Sequence, residues 1–92
     1  MNARKLLRKW KNKLEGVAIG DYPNIRRILE AACKDCDRWR ASMRVIEYVE
    51  VGCKLWAIAM LRTDPRTPQE VIERGMLQLW DHLVPSEMVD SN

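Results

Sequence analysis

The chain has no phenylalanine and one histidine, and its 92 residues hold only four glycines, four prolines and three cysteines. Each shortage excludes something. The lone histidine, His82, has Asp81 beside it, but neighbours on a helix point about 100° apart and do not form a catalytic pair. No serine or threonine stands at a recognisable spacing from a base. The expectation is therefore a non-enzymatic protein, with no catalytic residue, no cofactor and no metal. Cys33, Cys36 and Cys53 make an odd number. The first residues read as basic and amphipathic rather than as an apolar leader. That predicts free thiols in a reducing, cytoplasmic compartment. No apolar run reaches the ~20 residues of a spanning helix. The most apolar stretch, Val45 to Leu61, is interrupted by Glu47, Glu50 and Lys54, so no membrane span is expected. Without phenylalanine, four tryptophans must supply the aromatic bulk of the core, and tryptophan also anchors interfaces.

What remains is ordinary for one folded domain. Hydrophobic residues make up 47% and charged residues 32% of the chain, which argues against disorder. A chain this short buries a modest core but not a deep cleft as well. Residues 1–92 are read as a single helical domain, with no internal repeat.

The dominant pattern is a seven-residue repeat: Ile25, Ala32, Trp39, Ile46, Cys53 and Met60 are all apolar. Two turns of helix bring a side chain back to nearly the same face. The repeat predicts a long central helix over 24–62, with Asp21-Tyr22-Pro23 as its start, because proline is tolerated in a first turn. Such a helix would be about 58 Å long, against a radius of gyration near ~12 Å for a domain of this size. It must kink or break, or its free end must pack on another molecule. Asp35 and Ser42 mark the weak seam. A strand at 44–51 competes, given Val45, Ile46, Val49 and Val51, but Cys53, Trp56, Ala57 and Met60 continue the helical spacing.

Two shorter helices flank it. Residues 3–15 place Ala3, Leu6, Leu7, Trp10 and Leu14 on an arc roughly 100° wide. Arg4, Lys5, Arg8, Lys9, Lys11 and Lys13 cover the rest of the circumference. Thr67-Pro68-Gln69-Glu70 reads as a capping box opening a helix over 68–84, with Ile72, Met76, Leu79 and Leu83 inward and Pro85 as its stop. Residues 85–92 read as a frayed tail. The short 63–67 turn makes this last helix antiparallel to 45–61. The expected fold is an all-α, three-helix bundle-like domain.

Three motifs invite chemistry. Cys33-Lys34-Asp35-Cys36, with Cys53 and His82, has the ligand types of a structural zinc site. Cys53 would lie ~25 Å along one straight helix from Cys36, so the buried-thiol reading is preferred. Glu47 and Glu50 sit among apolar residues, but Lys54 follows Glu50 at the spacing of a surface ion pair. A helix-turn-helix would need a recognition helix behind the 63–67 turn, and Glu70, Glu73 and Asp81 against Arg74 give that helix the wrong sign for phosphate.

Charge is separated along the chain. Six basic residues precede Gly16 against Glu15 alone, whereas Asp64, Glu70, Glu73, Asp81, Glu87 and Asp90 oppose only Arg66 and Arg74 beyond residue 62. Head and tail either attract each other within the fold or meet separate partners. The functional expectation is a small protein-binding module, a regulator or inhibitor that modulates a larger protein or complex. Compact, tryptophan-rich chains without a cofactor are common among host-directed proteins of phages and viruses. The alternative is a nucleic-acid-binding protein using the basic helix, and a structural subunit of an assembly is a third reading. Arg26, Arg27, Arg38, Arg40 and Arg44 would extend the basic face. A second contact surface is expected around Leu55, Trp56, Ile58 and Leu61. Leu55 to Leu61 is apolar throughout, two neighbouring helices cannot cover all of it, and a homodimer would cover the remainder.

Overall fold

The computed structural model describes residues 1–83, with nothing of the Leu83 side chain. The expected helix end at 84, the Pro85 stop and the 85–92 tail lie outside the described residues. Those described form an all-α bundle in which α1 (Ala3–Glu15), α2 (Tyr22–Arg38), α3 (Val45–Thr63) and α4 (Gln69–Leu83) are joined by short connections. None of these helices is long and apolar enough to cross a membrane.

α1 forms where its amphipathic pattern places it. Asn2 Oδ1 accepts the Lys5 N–H at 2.9 Å and caps the first turn. Leu6, Trp10 and Leu14 are buried, with Ala3 and Leu7 packed beside them. Gly20, at φ 84°, turns the chain into α2 through a conformation that costs a side-chain-bearing residue energy. Its N–H bonds the Arg62 carbonyl at 2.9 Å. Arg62 Nη2 donates in turn to the Val17 carbonyl, so the end of α3 clamps this connection.

The single helix expected over 24–62 is instead two helices, α2 and α3. α2 ends at Arg38, a 3₁₀ turn covers Arg40–Ser42, and Met43 and Arg44 are extended. The break folds the chain back on itself: the molecule's longest dimension is 42 Å, shorter than the straight helix would be. Polar contacts brace the elbow. Tyr48 Oη donates to Asp37, the Arg40 guanidinium lies 4.7 Å over the Tyr48 ring, and Arg44 N–H donates to Glu47 Oε1 at 3.0 Å. In segment 44–51, where a strand competed, every residue after the extended Arg44 is helix.

The break also resets the phase of burial. Ile25 and Ala32 are core, as the seven-residue repeat requires. Beyond the elbow the buried line is Tyr48, Val51, Leu55 and Ala59 with Val49, whereas Ile46 is 41% exposed and Cys53 and Met60 are half-buried. Sequence spacing continues across the elbow, but the face does not.

α3 is the centre of the bundle and packs on α1, α2 and α4, while α1 and α2 pack on each other. α4 runs antiparallel to α3: Trp56 Nε1 donates to the Ile72 carbonyl at 3.2 Å, and Cys53 Sγ lies 4.0 Å from the Met76 carbonyl. Ile72 is buried and Met76 and Leu79 are half-buried, as expected. The capping box at Thr67 does not form. The Thr67 hydroxyl donates backward, to the carbonyls of Asp64 at 2.6 Å and Met60 at 3.3 Å, and its N–H bonds Asp64. A hydroxyl committed to the preceding turn orders the connection rather than the new helix.

Candidate interaction surface

Because α1 turns its whole apolar arc into the core, its other side is left to solvent and carries the positive charge. All six predicted basic residues are exposed. The structure sorts them into two sets. Lys9 and Lys13 lie on the flank facing α2 and are held there. Lys9 Nζ donates to Asp35 at 3.0 Å, and the two ammonium groups sit 5.0 Å and 4.7 Å from the Trp10 ring. Arg4, Lys5, Arg8 and Lys11 occupy the outer face and the flank toward α3. Of these four, only Lys11 makes an ion pair among the described residues, at 3.8 Å to Glu15.

Asp35 is the anchor beneath this face. Its carboxylate, 12% exposed, also accepts the Trp10 indole N–H at 2.9 Å. Burial alone would raise its pKa. The hydrogen bonds from Lys9 and Trp10, with the charges of Lys9 and Arg38, outweigh burial and hold the carboxyl below its usual range. The residue that marked a weak seam in the sequence therefore ties α2 to α1.

The arginines expected to extend the face are engaged elsewhere. Arg26 pairs with Glu30 and Arg44 with Glu47, each at 3.1 Å. Arg27 donates to Asn24, and Arg38 lies over Trp39. Among the described residues no ion pair joins Glu50 to Lys54 or α1 to α4. Glu47, accepting from the Arg44 backbone and side chain, has its carboxyl held below the usual range. Among the described residues the basic α1 and the acidic α4 thus share no ion pair.

The apolar surface expected around Leu55, Trp56, Ile58 and Leu61 is largely interior. Leu55 is 2% exposed in the core, Ile58 packs against the core, and the Trp56 ring is inserted between α3 and α4. Only Leu61, 43% exposed, faces outward. The run looked uncoverable because it was read on a straight helix with two neighbours; α3 has three. Exposed apolar groups concentrate instead on α4, where Leu77 is 67% exposed and Trp80 lies beside it over a groove shared with Cys53, Glu73 and Met76.

The zinc set does not assemble. Cys33, Cys36 and His82 line one cavity of about 280 Å³ between α2, α3 and α4, but Cys53 faces the other side of the α3–α4 joint. Among the described residues no group of three ligand-type side chains could hold a metal ion. Burial, with Cys33 and nearby Asp35 and Asp37, pushes the Cys36 thiol up to about 11, and burial raises Cys33 and Cys53 too. Thiols so perturbed stay protonated at neutral pH and are weak nucleophiles.

Compared with family models, curated proteins and solved structures, the chain matches none.

Proposed function

We propose that this chain is a small non-enzymatic binding protein that modulates a larger protein or complex, and that the outer face of α1 meets an acidic surface on that partner. The observation that carries the reading is the division of α1 into a fully used apolar arc and an outer face bearing Arg4, Lys5, Arg8 and Lys11. The core does not need those four side chains. Bundle stability is supplied from the opposite arc, so a cationic ridge is available without cost to the fold. Arginine and lysine pair with carboxylates on a partner through charge-assisted hydrogen bonds. The acidic outer side of α4 suits the same reading, since like charge there excludes polyanions from the far side of the molecule.

A capture experiment with the full chain, after nuclease treatment, tests this. The expected result is a protein partner retained by the wild type and lost by the triple variant Arg4→Glu, Lys5→Glu, Arg8→Glu. Capture that disappears on nuclease treatment, with binding to a DNA or RNA oligomer that falls steeply with salt, would replace this reading by the nucleic-acid one.

A further inference from the structure

Leu77 projects from the middle of α4 with 67% of its surface exposed, more than any other large apolar residue among those described. Around any helix position the residues three and four away fall symmetrically on two flanks, and here those places carry chemically complementary groups. At about 100° per residue, Arg74 and Asp81 fall about 60° and 40° to one side of Leu77, while Trp80 and Glu73 fall about 60° and 40° to the other. Along the axis, Arg74 and Trp80 lie about 4.5 Å from Leu77, and Asp81 and Glu73 about 6 Å from it, one of each pair before it and one after. All five are exposed.

We propose that α4 is a self-association surface on which a second copy of this chain packs, α4 against α4, antiparallel about a two-fold axis at Leu77. A two-fold axis lying in the interface and perpendicular to the helices reverses direction and keeps each flank on its own side. Leu77 then meets Leu77 of the second copy. On one flank Arg74 faces Asp81 of the other molecule, and Asp81 faces its Arg74. On the opposite flank the Trp80 indole N–H faces the Glu73 carboxylate of the other molecule, and the contact is repeated in reverse. Every exposed group on the ridge within one turn of Leu77 finds a complement, which is the condition for an isologous interface. A parallel pairing would instead set Arg74 against Glu73 and Trp80 against Asp81 of the other molecule with the two helix dipoles aligned; antiparallel packing opposes the dipoles, and only it joins Arg74 to Asp81. The surface belongs to α4 and leaves the basic face of α1 free, so it stands independently of the function proposed above.

Sedimentation of the full chain over a concentration series tests the pairing. The wild type is expected to be a concentration-dependent dimer. Leu77→Asp is expected to be monomeric with an unchanged helical spectrum and melting temperature. Arg74→Asp places two carboxylates together at both ends of the contact, and Asp81→Arg places two guanidinium groups together, so each variant alone should lose at least about 10-fold in affinity. Mixed, the two variants make opposite-charge contacts at both ends, and the mixture should dimerise within about 3-fold of wild type. Wild type that stays monomeric to about 200 µM, a dimer that survives Leu77→Asp, or a mixture no tighter than its components would each overturn the proposal. The triple α1 variant should dimerise normally; its effect on partner capture is read separately.

Discussion

Gly75 lies in the interior of α4, where glycine costs about 0.8–1.0 kcal/mol relative to alanine. On propensity alone, Gly75→Ala should stabilise the protein. The structure predicts the opposite. A Cβ on Gly75 would lie 2.5 Å from Cε2 and Cζ2 of Trp56, and no farther from Nε1. Ordinary carbon contacts need about 3.5–4.0 Å, so the ring or the helix must retreat by about 1 Å. The ring is not a free end. It is inserted between α3 and α4, with Nε1 donating to the Ile72 carbonyl at 3.2 Å. Overpacking of this kind costs about 1–3 kcal/mol, and loss of the indole hydrogen bond adds about 0.5–1.5 kcal/mol. After the propensity gain, the expected net loss is about 2 kcal/mol. For a domain of this size that is a fall in Tm of about 8–16 °C. Urea denaturation of a double-mutant cycle isolates the cause. With Trp56→Leu in place the obstacle is gone, and Gly75→Ala should become neutral or stabilising by up to about 1 kcal/mol. A rise in Tm for Gly75→Ala alone, or an equal loss in both backgrounds, would refute the argument that glycine is there to seat the ring.

Asp35→Ala should cost about 1–3 kcal/mol because it strands the indole N–H of buried Trp10, whereas Asp35→Asn keeps an acceptor and should cost less than about 1 kcal/mol; chemical denaturation distinguishes them. The same carboxyl makes the wild type's advantage over Asp35→Asn pH-dependent. Its folded pKa is depressed, so the contribution is fully present above the unfolded value of about 3.9 and disappears as pH falls through the lower folded value; stability measured from pH 7 to pH 2 should show the two curves converging only at the acid end. On α1, reversing Arg4, Lys5 and Arg8 to Glu should leave Tm nearly unchanged, while Lys9→Glu, which sets a carboxylate against Asp35, should lower it. On α3, Leu55→Ala should cost about 2–5 kcal/mol, whereas Leu61→Asp at the exposed end of the same run should be close to neutral by thermal melting.

The sequence made α1 legible to the residue, because arc, length and punctuation agree: the 3–15 expectation and the Ala3–Glu15 helix coincide. It made the helical class legible for the same reason, and Asp21-Tyr22-Pro23 correctly opens α2. That the 24–62 span kinks, breaks or docks its end elsewhere was legible from its length, and Ser42 of the weak seam lies in the elbow at Trp39–Arg44; that the helix stops there was not. Each residue there is individually compatible with helix, and Ile46, Cys53 and Met60 preserve the spacing of Ile25 and Ala32 by coincidence of register. What breaks the helix is tertiary: the gain from folding α3 back onto α1 and α2, secured by Tyr48 on Asp37 and Glu47 on Arg44. The basic face could be read from composition because charge needs no partner to be exposed. The apolar surface could not, since whether Leu55 or Leu77 is covered depends on how many helices surround each. Thr67 shows the limit of a local motif, as its hydroxyl can donate to carbonyls of the preceding turn instead of accepting an N–H of the helix that follows.

α3 touches every other helix, but α4 is packed on α3 with a cavity between it and α2. Among the described residues, removing α4 would break one substantial joint, which includes Ile72, Trp56 and Gly75, whereas removing α1 or α2 would break two. Free energies of partial opening should follow that count of joints. Amide protons of α4 should exchange through a sub-global opening well below the global unfolding free energy, and those of α1, α2 and α3 only when the whole chain opens. The acidic helix is in this sense the hinged member of an otherwise cooperative unit, held shut at a single joint where buried Ile72 and the Trp56 ring against Gly75 meet.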